Sequence, residues 1–387
     1  MMKMLDFSLE EYKDRLTRAQ KLMAEQSVDF LLLSQAENLI YMTGYRTILY
    51  QSKFRPFLSV IPRESTPVLI LPNLEKGDGK TSFIEDIRTW GNTPGVAGPE
   101  PLSVVKDFLF EKNLSKGKGA IELGTGQRVG MTFSQFDELK KSLPEIQFVD
   151  CSSIMWALRK VKSQKEIEYI RESCRIADAA FDAAFRFTRE GVTEFEIQKV
   201  LGSTMMQEGA DFPGFLVVAS GVERYDMINP YASMRKVGTG EMVNLDIGAI
   251  FKGYWSDLTR GFFIGKPTNR QAAFYEAAKE INQAAINTVK PGIPVSEVDK
   301  AAEKTIDRLG YRPYMLHRTG HSLGLEVHEL PSISPDDHTI LEPGMVLTIE
   351  PGIYDFTIGA FRIEDTIVVT GQGFDYLTNA PRDILTR

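Results

Sequence analysis

Two aspartates in the stretch EMVNLDIGAIFKGYWSDLTR (241–260), Asp246 and Asp257, interrupt otherwise apolar, strand-forming surroundings. Val243, Leu245 and Ile247 suit one strand and Tyr254 and Trp255 a second, with a turn near Phe251–Gly253. A turn at Phe251–Lys252 would set Asp246 directly opposite Asp257. A turn at Lys252–Gly253 would set them diagonally on one face, and a three-residue loop would put them on opposite faces. Two carboxylates on one buried face repel unless a proton or a cation lies between them.

Further candidate ligands lie downstream. The chain has four histidines, His317, His321, His328 and His338, and three of them fall in HRTGHSLGLEVHE. His328-Glu329 is not the start of an H-E-x-x-H zinc helix, because Pro331 interrupts it and position 332 is Ser. Glu350 in TIEPG and Glu364 in RIED are each flanked by apolar strand formers. A carboxylate in such surroundings is seldom buried without a partner. Four carboxylates and one histidine form a hard, oxygen-rich donor set that favours Mn²⁺, Fe²⁺, Co²⁺ or Zn²⁺. Five ligands are many for one catalytic ion but suit two ions sharing carboxylates. His317 and His338 read as surface residues or as neighbours of the site.

These groups need a scaffold. A chain of 387 residues is long for one core, so two domains are expected. A hydrophobic content of 43% and a charged content of 25% fit an ordinary globular protein, and a net charge of -7 argues against nucleic acid or an anionic membrane as partner. No run of about eighteen apolar residues exists to span a membrane. The N-terminus lacks the apolar core of a secretory signal, and Cys151 and Cys174 form no zinc-type pair, so a reducing cytosol is the expected location.

Helices and strands alternate through the first 150 residues or so, predicting an α/β layer over 1–155. The glycines at 124, 126 and 130 miss the dinucleotide-binding spacing by one residue and predict a loop. The domain boundary is expected near 151–162. Beyond it, Ser163 with Glu166 and Thr193 with Glu196 form capping boxes that open a long and a shorter helix. The pattern of long helix, short helix and strands returns after residue 269, which predicts a duplicated, pseudo-twofold domain over 160–387 with its site at the seam.

The ordered set comprises D-x-G at 246, G-Y-x-S-D-x-T-R ending at Arg260, G-H-x-x-G-L-x-V-H-E at 320–329, T-I-E-P-G-I-Y at 348–354 and R-I-E-D at 362–365. It resembles the pita-bread metallopeptidases, in their prolidase, aminopeptidase P and creatinase branch. The resemblance implies an α+β pita-bread catalytic domain preceded by a smaller α/β creatinase-type domain. It further implies two divalent ions (Mn, Co, Zn or Fe), with Asp246 on one, His321 and Glu350 on the other, and Asp257 and Glu364 bridging. Such ions would supply hydroxide from water near neutral pH. Glu350 would then be the general base, His328 would stabilise the oxyanion, and Arg362 would orient neighbouring carboxylates or meet a substrate carboxylate. The implied reaction is Xaa-Pro amide hydrolysis of a small peptide, and the implied assembly is a homodimer.

One position departs from the family. Its peptidases carry another histidine about seventeen residues before the first aspartate ligand, where this chain has Asn229. An amide hydrogen-bonds but cannot carry a proton at neutral pH. A small non-peptide substrate, as in creatinase, ectoine hydrolase or dimethylsulfoniopropionate lyase, is therefore the alternative. A non-catalytic scaffold is disfavoured by the complete ligand set.

Overall fold

The computed structural model describes residues 5–387. The N-terminal stretch read above as lacking a leader begins at residues 1–4, which lie outside that range. The chain divides into two compact units that meet at Arg159 and Lys160. Among the described residues no helix is long and apolar enough to cross a membrane.

The first unit contains α1 (Leu9–Glu25), β1 (Phe30–Leu33), α2 (Ala36–Thr43), β2 (Leu58–Pro62), β3 (Val68–Pro72), β4 (Asp86–Trp90), α3 (Pro101–Glu111), β5 (Gly117–Ile121), α4 (Phe133–Ser142), β6 (Ile146–Asp150) and α5 (Ser152–Arg159). Its strands form one mixed sheet in the order β4-β3-β2-β1-β5-β6. β1 is apolar and buried along its whole length, as a central strand covered on both faces requires. Phe30, Leu32, Val60, Ile70, Phe108 and Ile121 share one core, each contributing about 1.5–3 kcal/mol by leaving water. The glycines at 124, 126 and 130 lie in the loop after β5, as their spacing predicts. α2 and α5 are additions to the sequence reading. α5 belongs to this unit, since Leu158 accepts from the Tyr41 hydroxyl at 2.9 Å.

The second unit opens with α6 (Gln164–Phe187) and α7 (Glu194–Gln207), both started by the predicted capping boxes. β7 (Phe212–Ser220), β8 (Met242–Phe251), β9 (Tyr254–Trp255) and β10 (Leu258–Phe263) follow as an antiparallel sheet ordered β10-β8-β7, with β9 on β8. The motif then recurs. α8 (Asn269–Thr288) and α9 (Ser296–Leu309) precede β11 (Gly320–Ser322), β12 (Glu329–Ile333), β13 (Val346–Ile349), β14 (Gly352–Asp355), β15 (Gly359–Arg362), β16 (Asp365–Val369) and β17 (Phe374–Tyr376). Five of these strands form a sheet ordered β12-β11-β13-β16-β17, and β14 pairs with β15 as a ribbon. Each half is thus a helix pair followed by antiparallel strands, the pita-bread arrangement.

Alternation along the strands decides what reaches the site. Val243, Leu245, Ile247 and Ala249 of β8 pack with Ile176, Ala180 and Phe181 of α6 in one core. Leu347 and Ile349 of β13 pack with Ile281 and Ala285 of α8 in another. The intervening side chains, Asp246 and Thr348 among them, fall on the other face of each strand.

The turn left open by the sequence is at Lys252–Gly253. Both residues take positive φ, 52° and 81°, and Phe251 pairs with Tyr254. This is the hairpin turn whose twist matches that of its strands. The register carries through to β10, where Thr259 faces Asp246 and Leu258 faces Ile247. Asp257 therefore lies diagonal to Asp246 on one face.

Candidate metal centre

Five residues in strands or at their ends converge in the second unit. Asp246 is in β8, Asp257 precedes β10, His321 is in β11, Glu350 follows β13 and Glu364 precedes β16. Gly320 lets β11 approach β13, because a Cβ there would meet the Thr348 carbonyl oxygen at 2.1 Å. His321 then pairs across to Thr348.

Asp257, His321 and Glu364 each offer a donor atom within 4.8 Å of the others, and all three are buried. His321 Nε2 lies 3.3 Å from Glu350 Oε1 and 3.7 Å from Asp257 Oδ2. His321 Nδ1 is 3.0 Å from the Ser322 carbonyl oxygen. A carbonyl only accepts, so Nδ1 carries a proton, which leaves Nε2, facing the carboxylates, as the nitrogen that could ligate a metal.

The carboxylates are themselves held in place. Glu364 accepts from the Thr348 hydroxyl at 2.6 Å and from the Thr259 hydroxyl. The Arg362 guanidinium donates to Asp246 and, through Nε, to Thr259 Oγ1 at 2.9 Å, and its Nη1 lies 3.7 Å from Glu350. His317 continues this chain of contacts. Its Nδ1 must donate to the Arg318 carbonyl oxygen at 2.8 Å, so its Nε2 accepts from the Tyr354 hydroxyl at 2.6 Å. His317 is thus a neighbour of the site, one of the two readings its sequence allows, whereas the sequence does not single out Thr259, Thr348 or Tyr354. Their signal was present, since each threonine is a polar residue in an apolar strand beside a candidate ligand.

The electrostatics fit a cation. Burial, then the charges of Glu364, Asp246 and Glu350, push Asp257 well above the usual carboxylate range. Burial, then Glu350 and Asp246, raise Glu364 to about 8. Burial also raises Asp246, although Arg362 pulls it back. For Glu350 burial is outweighed by His321 and Arg362, and the net shift is downward. Burial and the neighbouring His321 lower His328 to about 4, which leaves it neutral at pH 7. Each upward shift marks a carboxylate whose burial and acidic neighbours outweigh the positive charge around it, and a bound divalent ion would offset them. The donor set, four carboxylates and an imidazole nitrogen, fits Mn²⁺, Fe²⁺, Co²⁺ or Zn²⁺.

The cluster lies in a cleft of about 900 Å³, lined also by Phe215, Ile228, Asn229, Pro230, Leu316, Arg318, Val327 and His328. The structure thus brings Asp246, Asp257, His321, Glu350, Glu364, His328 and Arg362 together, with Asn229 in the same cleft. His338 lies elsewhere, beside Ser296.

An antiparallel pita-bread unit with this buried acidic cluster defines the class, a metal-dependent hydrolase. The chain belongs to metallopeptidase family M24, whose profile matches residues 168–371, and residues 15–161 match the creatinase/prolidase N-terminal domain. It is 32% identical to the Xaa-Pro dipeptidase of Pyrococcus furiosus over 373 residues, spanning 96% of this chain and 100% of that one. It is 34% identical to the Xaa-Pro dipeptidase of Pyrococcus horikoshii over 364 residues, spanning 94% and 96% respectively. The structure superposes on a prolidase from Thermococcus sibiricus with a TM-score of 0.88 at 30% identity, covering 98% and 100% of the two chains.

Proposed function

We propose that this metallopeptidase is an Xaa-Pro dipeptidase that uses two divalent ions, drawn from Mn, Co, Zn or Fe. The observation that carries this reading is the set of Asp246, Asp257, His321 and Glu364, all buried, with half-buried Glu350, at the base of a cleft, in a chain whose full-length relatives are named Xaa-Pro dipeptidases. Bound ions would supply a strong nucleophile from water at neutral pH and polarise the scissile carbonyl.

The chain's own residues would do the rest. Asp246, Asp257, His321, Glu350 and Glu364 would hold the ions. Glu350, held ionised, would accept a proton and return it to the leaving nitrogen. His328, neutral at pH 7, would donate to the developing oxyanion. Arg362 would fix Asp246 through its guanidinium. The threonine hydroxyls on Glu364 would fix that carboxylate in the same way, as hydrogen-bonded ligands commonly are.

Catalysis is assigned to 160–387, with 1–155 as the creatinase-type domain before it. A homodimer is proposed on family resemblance alone. A reducing cytosol is proposed on the two free, buried thiols of Cys151 and Cys174.

The test is to load the metal-free protein with Mn²⁺, Co²⁺ or Zn²⁺, count bound ions and assay Xaa-Pro dipeptides, longer Xaa-Pro peptides and cyclic amidines. About two ions and dipeptide cleavage are expected. Fewer than one ion, or unchanged occupancy in Asp257→Ala, overturns the dimetal reading. One observation favours a second reading. Asn229 lines the cleft where family peptidases place a histidine, which suits a small non-peptide amide. Metal binding without Xaa-Pro cleavage would support that substrate class instead.

A further inference from the structure

One wall of the cleft, Ile228-Asn229-Pro230-Tyr231, is the crown of the long connection between β7 and β8. This crown does not hold itself. Among the described residues, 228–230 make no hydrogen bond, and the Tyr231 side chain is 93% exposed. What holds it lies below, at the neck of the loop.

The neck is built on the start of α7. The first N–H groups of a helix have no partner within it. Here the Glu194 and Phe195 amides donate to the carbonyl oxygens of Arg235 and Ser233 at 3.0 and 2.9 Å. The Glu194 carboxylate, completely buried, then turns back to the loop. One oxygen accepts from the Ser220 amide at 2.8 Å and hydroxyl at 3.0 Å. The other accepts from the Ser233 amide at 3.1 Å and hydroxyl at 2.7 Å. Ser220 ends β7, where the loop departs, and Ser233 lies where it returns, so one carboxylate ties both limbs. The outgoing limb is also pinned to β8, because the buried Tyr225 hydroxyl accepts from the Met242 amide at 2.8 Å.

Arg224 carries this anchorage up to the crown. Its Nε lies 3.1 Å from the Glu194 carboxylate, and its Nη2 donates to the Tyr231 carbonyl oxygen at 2.7 Å. A guanidinium is planar and rigid, so one group fixes the crown relative to the buried acid. The neck has its serine and backbone bonds without Arg224. The bond to Tyr231 therefore acts on the crown and adds nothing to the neck.

We propose that Arg224, braced on Glu194, is a positioning residue that keeps the 228–231 wall in its substrate-binding place. Arg224 does not itself line the cleft and acts through Tyr231. The proposal rests on reading this cleft as the substrate site. A wall that is in place only part of the time weakens apparent affinity by that fraction, and saturating substrate restores it. The brace thus acts on KM and leaves kcat alone.

The test uses the full-length, metal-loaded protein as wild type, Arg224→Met, Arg224→Lys and Glu194→Gln. Ala-Pro kinetics, bound-metal counts, melting temperature and amide hydrogen exchange are measured on each. Arg224→Met should raise KM about tenfold while kcat stays within about twofold. Its metal content and melting temperature should match wild type. Exchange should quicken at Met227 and Ser233, whose amides are hydrogen-bonded in the loop, and not outside 221–236. Arg224→Lys should fall between the two, because an ammonium keeps the charge without the fork. Glu194→Gln loses an acceptor at the neck and should add a lower melting temperature to the same rise in KM. A fall in kcat or in bound metal with Arg224→Met, or quicker exchange throughout the unit, would mean a structural role and overturn the proposal. Unchanged KM would overturn it as well. A wild type that cleaves no Xaa-Pro peptide would overturn the peptidase reading alone. The exchange arm would still judge the brace, and unchanged exchange within 221–236 would overturn it.

Discussion

Two buried acidic sites, one in each unit, show what distinguishes a structural carboxylate from a reactive one. Glu122, just past β5, is as deeply buried as Glu364. It accepts from the Ser34 amide at 2.8 Å and hydroxyl at 2.6 Å, from the Gln35 amide at 3.0 Å and from the Asn38 side chain at 3.0 Å. Those amides belong to the start of α2, where unpaired N–H groups favour an anion. Burial raises Glu122, but every hydrogen bond to it opposes the rise. Asp257 is also buried, and the three causes after burial are carboxylates that raise it further. Glu122 is satisfied by the fold. Asp257 sits among carboxylates that the hydrogen bonds to Asp246 and Glu364 do not neutralise, and a cation would offset their charge.

The sharpest way to break this contrast is to remove one acid from each site. Asp257→Asn is expected to lose activity on the order of 10³-fold and to bind fewer ions. The metal-free variant should melt no lower than wild type, because a repelling charge has gone. Loss of stability comparable to that of a core mutation would count against the comparison. Glu122→Ala should do the reverse. It strands several buried donors, so about 3 kcal/mol of stability should be lost. Activity per folded molecule should be unchanged, and urea unfolding beside an activity assay separates the two effects.

pH sharpens the same point. Glu364 is raised to about 8 in the folded protein, whereas its ordinary value is 4.5. For a group raised on folding, the stabilising contribution is full below the unfolded value and is lost as pH rises through the folded one. The metal-free protein should therefore melt progressively lower between about pH 4.5 and 8 on account of this group. Saturating divalent metal should restore most at the upper end, through mass action. A melting temperature of chelated protein that rises across this window would sink the argument.

Smaller effects test how the ligands are held. Thr348→Val removes one hydroxyl from Glu364 without changing shape, and metal affinity should fall about tenfold. Asn229→His returns an imidazole to the cleft. It should raise Xaa-Pro turnover by up to about tenfold if the amide there limits proton handling. No gain would mean that the missing histidine is not what limits this chain.

Much of this was legible beforehand because it is local. Capping boxes at Ser163 and Thr193 specify their helices from four residues each, and alternation separates Asp246 from Val243 and Leu245 within one strand. The five acidic and histidine candidates could be named from residue type and apolar context, and their grouping from resemblance. α2 and α5 were missed, each being only eight residues long and short for a periodic signal. Thr259, Thr348 and Tyr354 were missed because a polar residue in a strand shows no partner until its neighbouring strand is known.

The sequence alone thus determined which residues could hold a metal and which faces of their strands would be polar, since side-chain alternation and helix caps act over a few residues. Tertiary structure decided the diagonal register of Asp246 and Asp257, which depends on Lys252 and Gly253 both taking positive φ. It also decided that Arg362 is spent on Asp246. Those partners lie on strands far apart in the chain, and only the pairing of the two halves brings their charges within reach of one another.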